Sequence, residues 1–397
     1  MSSAGDAGRV AELAQSVVAE HDPKQVPVTE FLGACYDAGL SWVHFPVGLG
    51  GLGLSRGLQS VADRVLQGAG GPVPLGLNPM GYGMAAPTVR EHAQTDDLKR
   101  FFLRPLATTE DIWCQLFSEP GAGSDLAGLA TSAVRDGDEW IVNGQKVWTS
   151  LAHKARWGLL LARTDPDAPK HKGLTYFVLD MHAAGVQCRP LRQMTGQAEF
   201  NEVYITEARV PDAHRLGAVG DGWRVAMTTL MNERSALGAS GNRRGSGAIA
   251  DAVQLWASRP ELHTPVLRDR LTQLWLRAEA QRLTSERARA TATAGGPGPE
   301  GSIGKMVGAE LNQRIYEFCM DFLGPEGILY HSYAMHGANE GGDWRGPIQQ
   351  RYLRSRANTI EGGTSEVMRN ILGERVLGLP GDLRADAGMP WKQVPRG

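Results

Sequence analysis

The segment Gln115-Leu-Phe-Ser-Glu-Pro-Gly-Ala-Gly-Ser-Asp125 gathers residue types suited to a binding loop. Pro120 fixes φ, and Gly121 and Gly123 allow close backbone approach. Ser118, Ser124 and the free N–H groups of such a turn can cradle the polar edge of a ring or a phosphate. Alone, the same string is a weak signal and reads more readily as a plain glycine turn. Further along stands Asn143-Gly-Gln-Lys-Val-Trp-Thr-Ser150. An aromatic followed by small hydroxyl residues on a strand can stack on a flat ring and hydrogen-bond its edge. Alone, that string reads equally well as a core tryptophan beside a surface threonine.

The elements that must position these motifs fall into three zones. In residues 8–112, Val10, Leu13, Ala14 and Val17 follow helical spacing, as Phe31, Cys35 and Leu40 do approximately. Pro46-Val-Gly-Leu-Gly-Gly-Leu-Gly-Leu54 interrupts them and cannot be regular helix. Residues 113–220 read as β-structure. Asn143-Gly144 predicts a type I′ hairpin turn between two short strands. Trp157–Ala162, Leu174–Leu179, Val186–Leu191 and Glu202–Ile205 are further strand candidates, and their close spacing predicts a small antiparallel barrel or sandwich. From residue 222 helical spacing returns, with Leu267, Leu271, Leu274 and Ala278 on one stripe. Arg243-Arg244 reads as a solvated helix face, Gly295–Gly301 as an inter-helix loop, and Pro380 as the end of ordered structure. The expected domains are 1–112, 113–221 and 222–397.

The 397 residues suit two or three structural units. Hydrophobic residues at 42% and charged ones at 21% can bury a sizeable core. A net charge of −2, with no long basic run, argues against nucleic acid and anionic membranes as partners. The four cysteines form no CxxC, so neither a disulfide framework nor a metal site is expected. The first ten residues lack an apolar signal core, and no apolar run reaches the ~18 residues of a membrane span. A cytoplasmic location is expected.

The two motifs, in this order and separation, resemble the flavin-binding middle domain of acyl-CoA dehydrogenases. Three further segments are similar to that family. They are Tyr36–Pro46 followed by Gly50-Gly-Leu-Gly-Leu54, Gly220-Asp-Gly-Trp223, and Thr359-Ile-Glu-Gly-Gly-Thr-Ser-Glu-Val-Met-Arg-Asn-Ile-Leu372. The resemblance runs from about residue 30 to Pro380. It implies an α+β fold: an N-terminal helical domain, a central antiparallel β-barrel or sandwich, and a C-terminal four-helix bundle. It implies FAD between the β domain and the bundle, completed by a neighbouring subunit of a homotetramer or homodimer. By the same resemblance Gln115, Phe117, Ser118, Gly123, Ser124, Trp148, Ser150, Thr364 and Glu366 would contact FAD. The implied partners are an acyl-CoA, or an acyl-carrier thioester, and electron-transfer flavoprotein.

The family reaction removes a proton from the α-carbon of an acyl thioester and a hydride from the β-carbon. The thioester oxygen must then be held by hydrogen bonds as charge develops, an effect on the order of several kcal/mol in a dry pocket. The resemblance gives that role to the Gly362 N–H, and places Ser124 and Arg234 beside the substrate. In the commonest subgroup a Glu directly precedes the Gly-Thr-Ser of the C-terminal fingerprint. Here that position is Gly362, and Glu361 lies one residue earlier. A one-residue shift turns a side chain by roughly 100° on a helix, so Glu361 is expected to point elsewhere. Another subgroup, which includes isovaleryl-CoA dehydrogenase, carries its base on the first long C-terminal helix, just before an Arg. Met231-Asn-Glu-Arg-Ser235 is similar to that pattern, which makes Glu233 the expected base and Glu361 the alternate. Without the resemblance, Glu233 reads as half of a helix-surface ion pair.

Two departures from the family pattern stand out. The family's Arg-x-x-Phe-Gly segment is replaced by Ser258-Arg-Pro-Glu-Leu-His263, and its Gln-x-Leu-Gly-Gly by Asp321-Phe-Leu-Gly-Pro-Glu-Gly327. Pro325 lacks an N–H donor. Such departures resemble a bacterial branch that handles bulky or unusual acyl chains, sometimes as mixed oligomers. Two competing readings share the fold: a flavin oxygenase or oxidase, and a non-catalytic partner subunit.

Overall fold

The helical spacing of the N-terminal zone becomes α1 (Ser3–Glu20) and α2 (Val28–Asp37). The computed structural model describes residues 3–238, 243–291, 301–330, 332, 334–335 and 346–395. These fall into two compact units. One comprises the chain up to Arg189, Phe200–Leu230 and the tail from Asp386; the other comprises Pro190–Glu199 and Met231–Ala385. No helix among the described residues is long and apolar enough to cross a membrane.

In the first unit, α1 and α2 bury Val10, Ala14, Phe31 and Leu32 against Ala62 and Leu66 of α3 (Gln59–Gly68). The Pro46–Leu54 stretch is irregular, as expected. It folds back so tightly that a Cβ on Gly51 would lie 2.1 Å from the Phe45 carbonyl oxygen, which only glycine tolerates. Short helices α4 (Pro74–Leu77) and α5 (Ala86–His92) lead to α6 (Asp96–Thr108). Thr95 caps α6 by accepting from Leu98 N–H at 3.2 Å, and Asp96 and Asp97 suit its positive end. Phe102, Leu103 and Leu106 on its buried face meet Trp113 and Trp157 of the sheet.

That sheet has eight strands: β1 (Trp113–Leu116), β2 (Ser132–Asp136), β3 (Glu139–Ser150), β4 (Trp157–Arg163), β5 (Leu174–Asp180), β6 (Val186–Leu191), β7 (Phe200–Pro211) and β8 (Arg215–Leu216). Their order is β6-β7-β3-β2-β4-β5-β8, with β1 beside β4. The sheet is mixed rather than antiparallel, because β1 and β2 both pair with β4 in parallel. The glycine-rich loop and the β2–β3 hairpin intervene between β1 and β4, giving the long crossover that parallel pairing needs. β4 is buried throughout. Trp157, Leu159 and Leu161 face the helices, whereas Leu160 and Ala162 face Val142, Phe177 and Val203 inside the sheet. Each buried leucine of β4 contributes about 1.5–3 kcal/mol.

The expected turn at Asn143-Gly144 is not there. The chain reverses at Gly137 (φ 62°), between Asp136 and Glu139, and β3 runs straight through Asn143. Asn143-Gly144 instead forms a bulge against β7, where the register shifts between Val142 and Gly144. A Cβ on Gly144 would meet Thr131 Oγ1 at 2.3 Å, and Asn143 Oδ1 accepts from Glu207 N–H at 2.9 Å. The Asn-Gly pair is therefore selected for crowding and side-chain capping rather than for reversal.

Pro380 does not end the ordered chain either. Trp391 anchors the tail on the first unit. Its N–H donates to Ala168 O at 3.0 Å, its indole N–H donates to Gly128 O at 3.1 Å, and the Arg163 guanidinium lies 4.3 Å from its ring centroid. Lys170 joins Asp386 at 2.5 Å and Asp125 at 2.9 Å.

In the second unit, α8 (Ala248–Ser258), α9 (Pro265–Thr291), α10 (Gly301–Leu323) and α11 (Ile348–Ser355) share one core. α7 (Gly222–Gly238) belongs to the first unit as far as Leu230 and to the second from Met231, and α12 (Ser365–Arg375) follows α11. The Leu267, Leu271, Leu274 and Ala278 stripe packs against α10 side chains such as Ile315 and Phe318, as its spacing predicts. Arg243 and Arg244 lie on a turn, not a helix face, with Arg244 4.9 Å from the Trp275 ring centroid. Of the expected Gly295–Gly301 loop, residues 295–300 lie outside the described residues.

One titration is built into the first unit. Burial, and then Arg56 and Arg90, pull the His44 imidazole down to about 4. The unfolded chain takes up this proton near pH 6.5, so the stability due to neutral His44 is present above that pH and is lost as pH falls through about 4. Denaturation midpoints measured from pH 7 to pH 4 should fall less steeply in His44→Gln than in the wild type.

Candidate functional site

In the first unit the two motifs lie side by side. β1 ends at Leu116, with Gln115 opposite Leu159, and the chain turns so that Glu119 and Ala122 exchange backbone hydrogen bonds at 3.0 Å. Phe117 is buried, whereas Gly121, Gly123, Ser124 and Asp125 are exposed. Val147 N–H donates to Ser118 O at 2.9 Å, joining the loop to β3.

Beneath this junction is a buried ion pair. Lys146, with no exposed side-chain surface, donates to Glu119 Oε1 at 2.9 Å, Phe117 O at 3.0 Å and Leu161 O at 2.9 Å. The Glu119 carboxylate also accepts from Ala130 N–H at 2.7 Å and Thr131 N–H at 2.9 Å. Burial pushes the Glu119 carboxyl up, but Lys146 and these donors outweigh it and hold the carboxyl below its ordinary value.

Beyond Lys146 a second irregularity in the β3–β7 pairing sets Trp148 at φ 60°. Trp148 is 57% exposed, and Thr149 is buried. This reverses the reading of a core tryptophan beside a surface threonine. Thr149 Oγ1 has no hydrogen-bond partner among the described residues, and Ser150 follows at intermediate exposure. An open indole beside an unsatisfied buried hydroxyl, next to a loop with exposed glycines, fits a flat ring with a polar edge, as in FAD.

The second unit holds the other candidates. Gly362 and Gly363 have φ of 63° and 99°, a left-handed pair that a Glu at 362 would strain. Thr364 caps α12, its hydroxyl accepting from Val367 N–H at 3.1 Å. Glu366 lies exposed in the first turn, its pKa lowered first by its own backbone N–H and then by the Thr364 hydroxyl. Glu361 is tied to Arg354 by bonds of 2.8 and 3.2 Å, and accepts from Asn358 Nδ2 at 2.8 Å. Glu233 sits half-exposed on α7, within electrostatic reach of Lys305 on α10. Of Arg234 only the helical backbone is described.

The two departing segments are ion-paired to each other and to α9. Arg259 binds Glu326 at 2.7 and 2.9 Å and Glu261 at 2.5 Å, while Asp321 meets Arg270 at 2.7 Å. Gln115, Phe117, Ser118, Gly123, Ser124, Trp148 and Ser150 thus gather on the β1–β3 edge, and Glu233, Glu361, Gly362, Thr364 and Glu366 belong to the second unit. Sequence reasoning misses Lys146, Glu119, Thr149 and Lys305. A lysine between Gln145 and Val147 on a strand is the available signal for the first.

The acyl-CoA dehydrogenase middle-domain family model matches residues 114–208, and the acyl-CoA dehydrogenase C-terminal-domain model matches residues 220–377. The chain is 42% identical over 349 residues to acyl-CoA dehydrogenase FadE34 of Mycobacterium tuberculosis, covering 87% of this chain and 46% of that protein. It therefore spans about half of that relative's length. It is 39% identical to acyl-CoA dehydrogenase IpdE1 of the same species, covering 86% of both chains. Among solved structures, the Tcur3481-Tcur3483 steroid ACAD superposes with a TM-score of 0.72 at 26% identity, covering 96% of this chain and 99% of that one. The chain belongs to the acyl-CoA dehydrogenase family, whose members are FAD-dependent oxidoreductases that dehydrogenate acyl-CoA thioesters.

Proposed function

We propose that this protein dehydrogenates a bulky, steroid-like acyl-CoA between its α- and β-carbons, with Glu233 as the base. The observation that carries the choice of base is the commitment of Glu361. Its carboxylate is bound by Arg354 and Asn358, whereas Glu233 on α7 is the other carboxylate that the family pattern offers. In this reading Glu233 takes the α-proton. The Gly362 N–H donates to the thioester oxygen as negative charge grows there, and the left-handed turn fixes where that N–H points. Ser124 and Arg234 orient the thioester.

Gln115, Phe117, Ser118, Gly123, Ser124, Trp148 and Ser150 hold FAD from the sheet edge, and Thr364 and Glu366 from the start of α12. FAD, when bound, would supply the acceptor for the hydride that leaves the β-carbon. The Thr149 hydroxyl joins this set, since it is buried and lacks a partner among the described residues. Electron-transfer flavoprotein is the partner that would take up the electrons. The steroid-like substrate rests on the likeness to the steroid ACAD at 26% identity. We place the chain in a dimer or tetramer, either of one chain or mixed, because that neighbour is named for two polypeptides, Tcur3481 and Tcur3483. A cytoplasmic location accords with four free cysteines, three of them buried.

The test is a panel of straight-chain, branched and steroid-bearing acyl-CoAs with FAD-loaded protein and a dye acceptor. The steroid-bearing substrate should give the highest kcat/KM, and reduced protein should react slowly with O₂. Glu361→Gln should lower kcat by less than about tenfold, because it loses an ion pair rather than the base. If no acyl-CoA bleaches the bound flavin, the proposal fails.

A further inference from the structure

α10 presents Lys305, Asn312 and Gln313 on one face, seven and eight residues apart. All three reach into the segment from Ser355 to Gly363. Gln313 Nε2 donates to Ser355 O at 3.2 Å, Arg356 O at 3.3 Å and Thr359 Oγ1 at 3.0 Å. Asn312 Nδ2 donates to Asn358 Oδ1 at 2.6 Å. Lys305 Nζ donates to Asn358 O at 3.0 Å and to Gly363 O.

The two carbonyls that Lys305 gathers bracket the turn Thr359–Gly362. Long lysines ordinarily lay their stems on the surface and leave the ammonium in water. Here the ammonium is partly buried and spent on two main-chain oxygens. The peptides it pins flank two consecutive left-handed glycines, at φ 63° and 99°, which would otherwise sample many conformations. Burial lowers the Lys305 pKa, and Glu361, Glu233 and Glu366 act against that. One cation thus lies within reach of both the turn and the carboxylate to which the reaction is assigned.

We propose that Lys305 is a positioning residue for dehydrogenation: by binding the Asn358 and Gly363 carbonyls it holds the Gly362 N–H in the orientation that the thioester oxygen requires. The inference rests on the assignment of Glu233 and Gly362 above. A lysine that merely stabilised the fold would lower the melting temperature and leave turnover per bound flavin intact. A positioning lysine acts on kcat, because the N–H it holds matters most when charge has developed.

The experiment compares FAD-loaded wild type, Lys305→Met, Lys305→Gln and Lys305→Arg, with kcat expressed per bound flavin. Lys305→Met should lower kcat by about 100-fold, the scale of a small misplacement at a reacting centre, with KM changed by less than about threefold. Lys305→Arg, which keeps a cation with several donors, should regain most of the loss. Lys305→Gln, with one short amide donor, should fall between them and supplies the test if the methionine variant does not fold. Wild-type kcat in the Met or Gln variant, or a loss confined to KM or melting temperature, overturns the inference. Glu233→Gln runs in parallel. If it is inactive while Lys305→Met is normal, only the present inference fails; if it turns over normally, the assignment of the base fails instead.

Discussion

Glu233→Gln should lower kcat on the order of 10⁴-fold while FAD stays bound, the upper range of what a positioned general base contributes. The amide is nearly the same size and keeps a hydrogen-bonding oxygen, so packing on α7 should hardly change. What it lacks is a lone pair basic enough to accept a proton from carbon. KM should move little, because the base does its work at the transition state. Stopped-flow reduction of the bound flavin by substrate is the direct readout: the fast bleaching phase should disappear. Its survival at the wild-type rate would show that another group takes the proton.

Lys146→Met should destabilise the first unit by about 3–5 kcal/mol, the cost of leaving one partner of a buried pair uncompensated. Glu119 is only 9% exposed at its side chain and could not rehydrate without opening the junction of both motif loops. The methionine also leaves the Phe117 and Leu161 carbonyls without the Lys146 donor. Adding Glu119→Gln to Lys146→Met should recover part of the loss, since the stranded charge is gone. Urea denaturation of the single and double variants measures this. Equal midpoints for wild type and Lys146→Met would show that the pair contributes nothing net. The single variant should also bind FAD weakly, because Lys146 holds Phe117 and Glu119 beneath the binding loop.

Much of this architecture is legible in the residues. The apolar run Trp157–Ala162, and Leu174–Leu179 with Thr175 as its one polar residue, mark strands that prove buried on both faces, and they are β4 and β5. The α9 stripe is equally plain. β7 reads too short in the sequence because its outer residues are polar: Asn201, Val203, Ile205, Ala208 and Val210 alternate inward, yet only Glu202–Ile205 has the look of a strand. The Asn143-Gly144 expectation fails because turn propensity is local, while Thr131 crowding Gly144 is a long-range contact. The same limit hides Lys146: a lysine on a strand defaults to solvent, and nothing near it in sequence announces the Phe117 and Leu161 carbonyls. The parallel pairing of β1 and β2 with β4 is invisible to periodicity, which carries no strand direction. The proposed base comes from a family pattern, and the bonds of Glu361 to Arg354 and Asn358 argue only against the alternate.

The anchoring of Trp391 bears on how the protein is made. The sheet unit includes a segment synthesised after everything in the helical unit, so a nascent chain cannot complete it until residue 391 has cleared the ribosome. Until then Arg163 and Lys170 wait without Trp391 and Asp386. The sheet unit is therefore completed late, only after the whole helical unit has been made, although most of its residues come first in the chain.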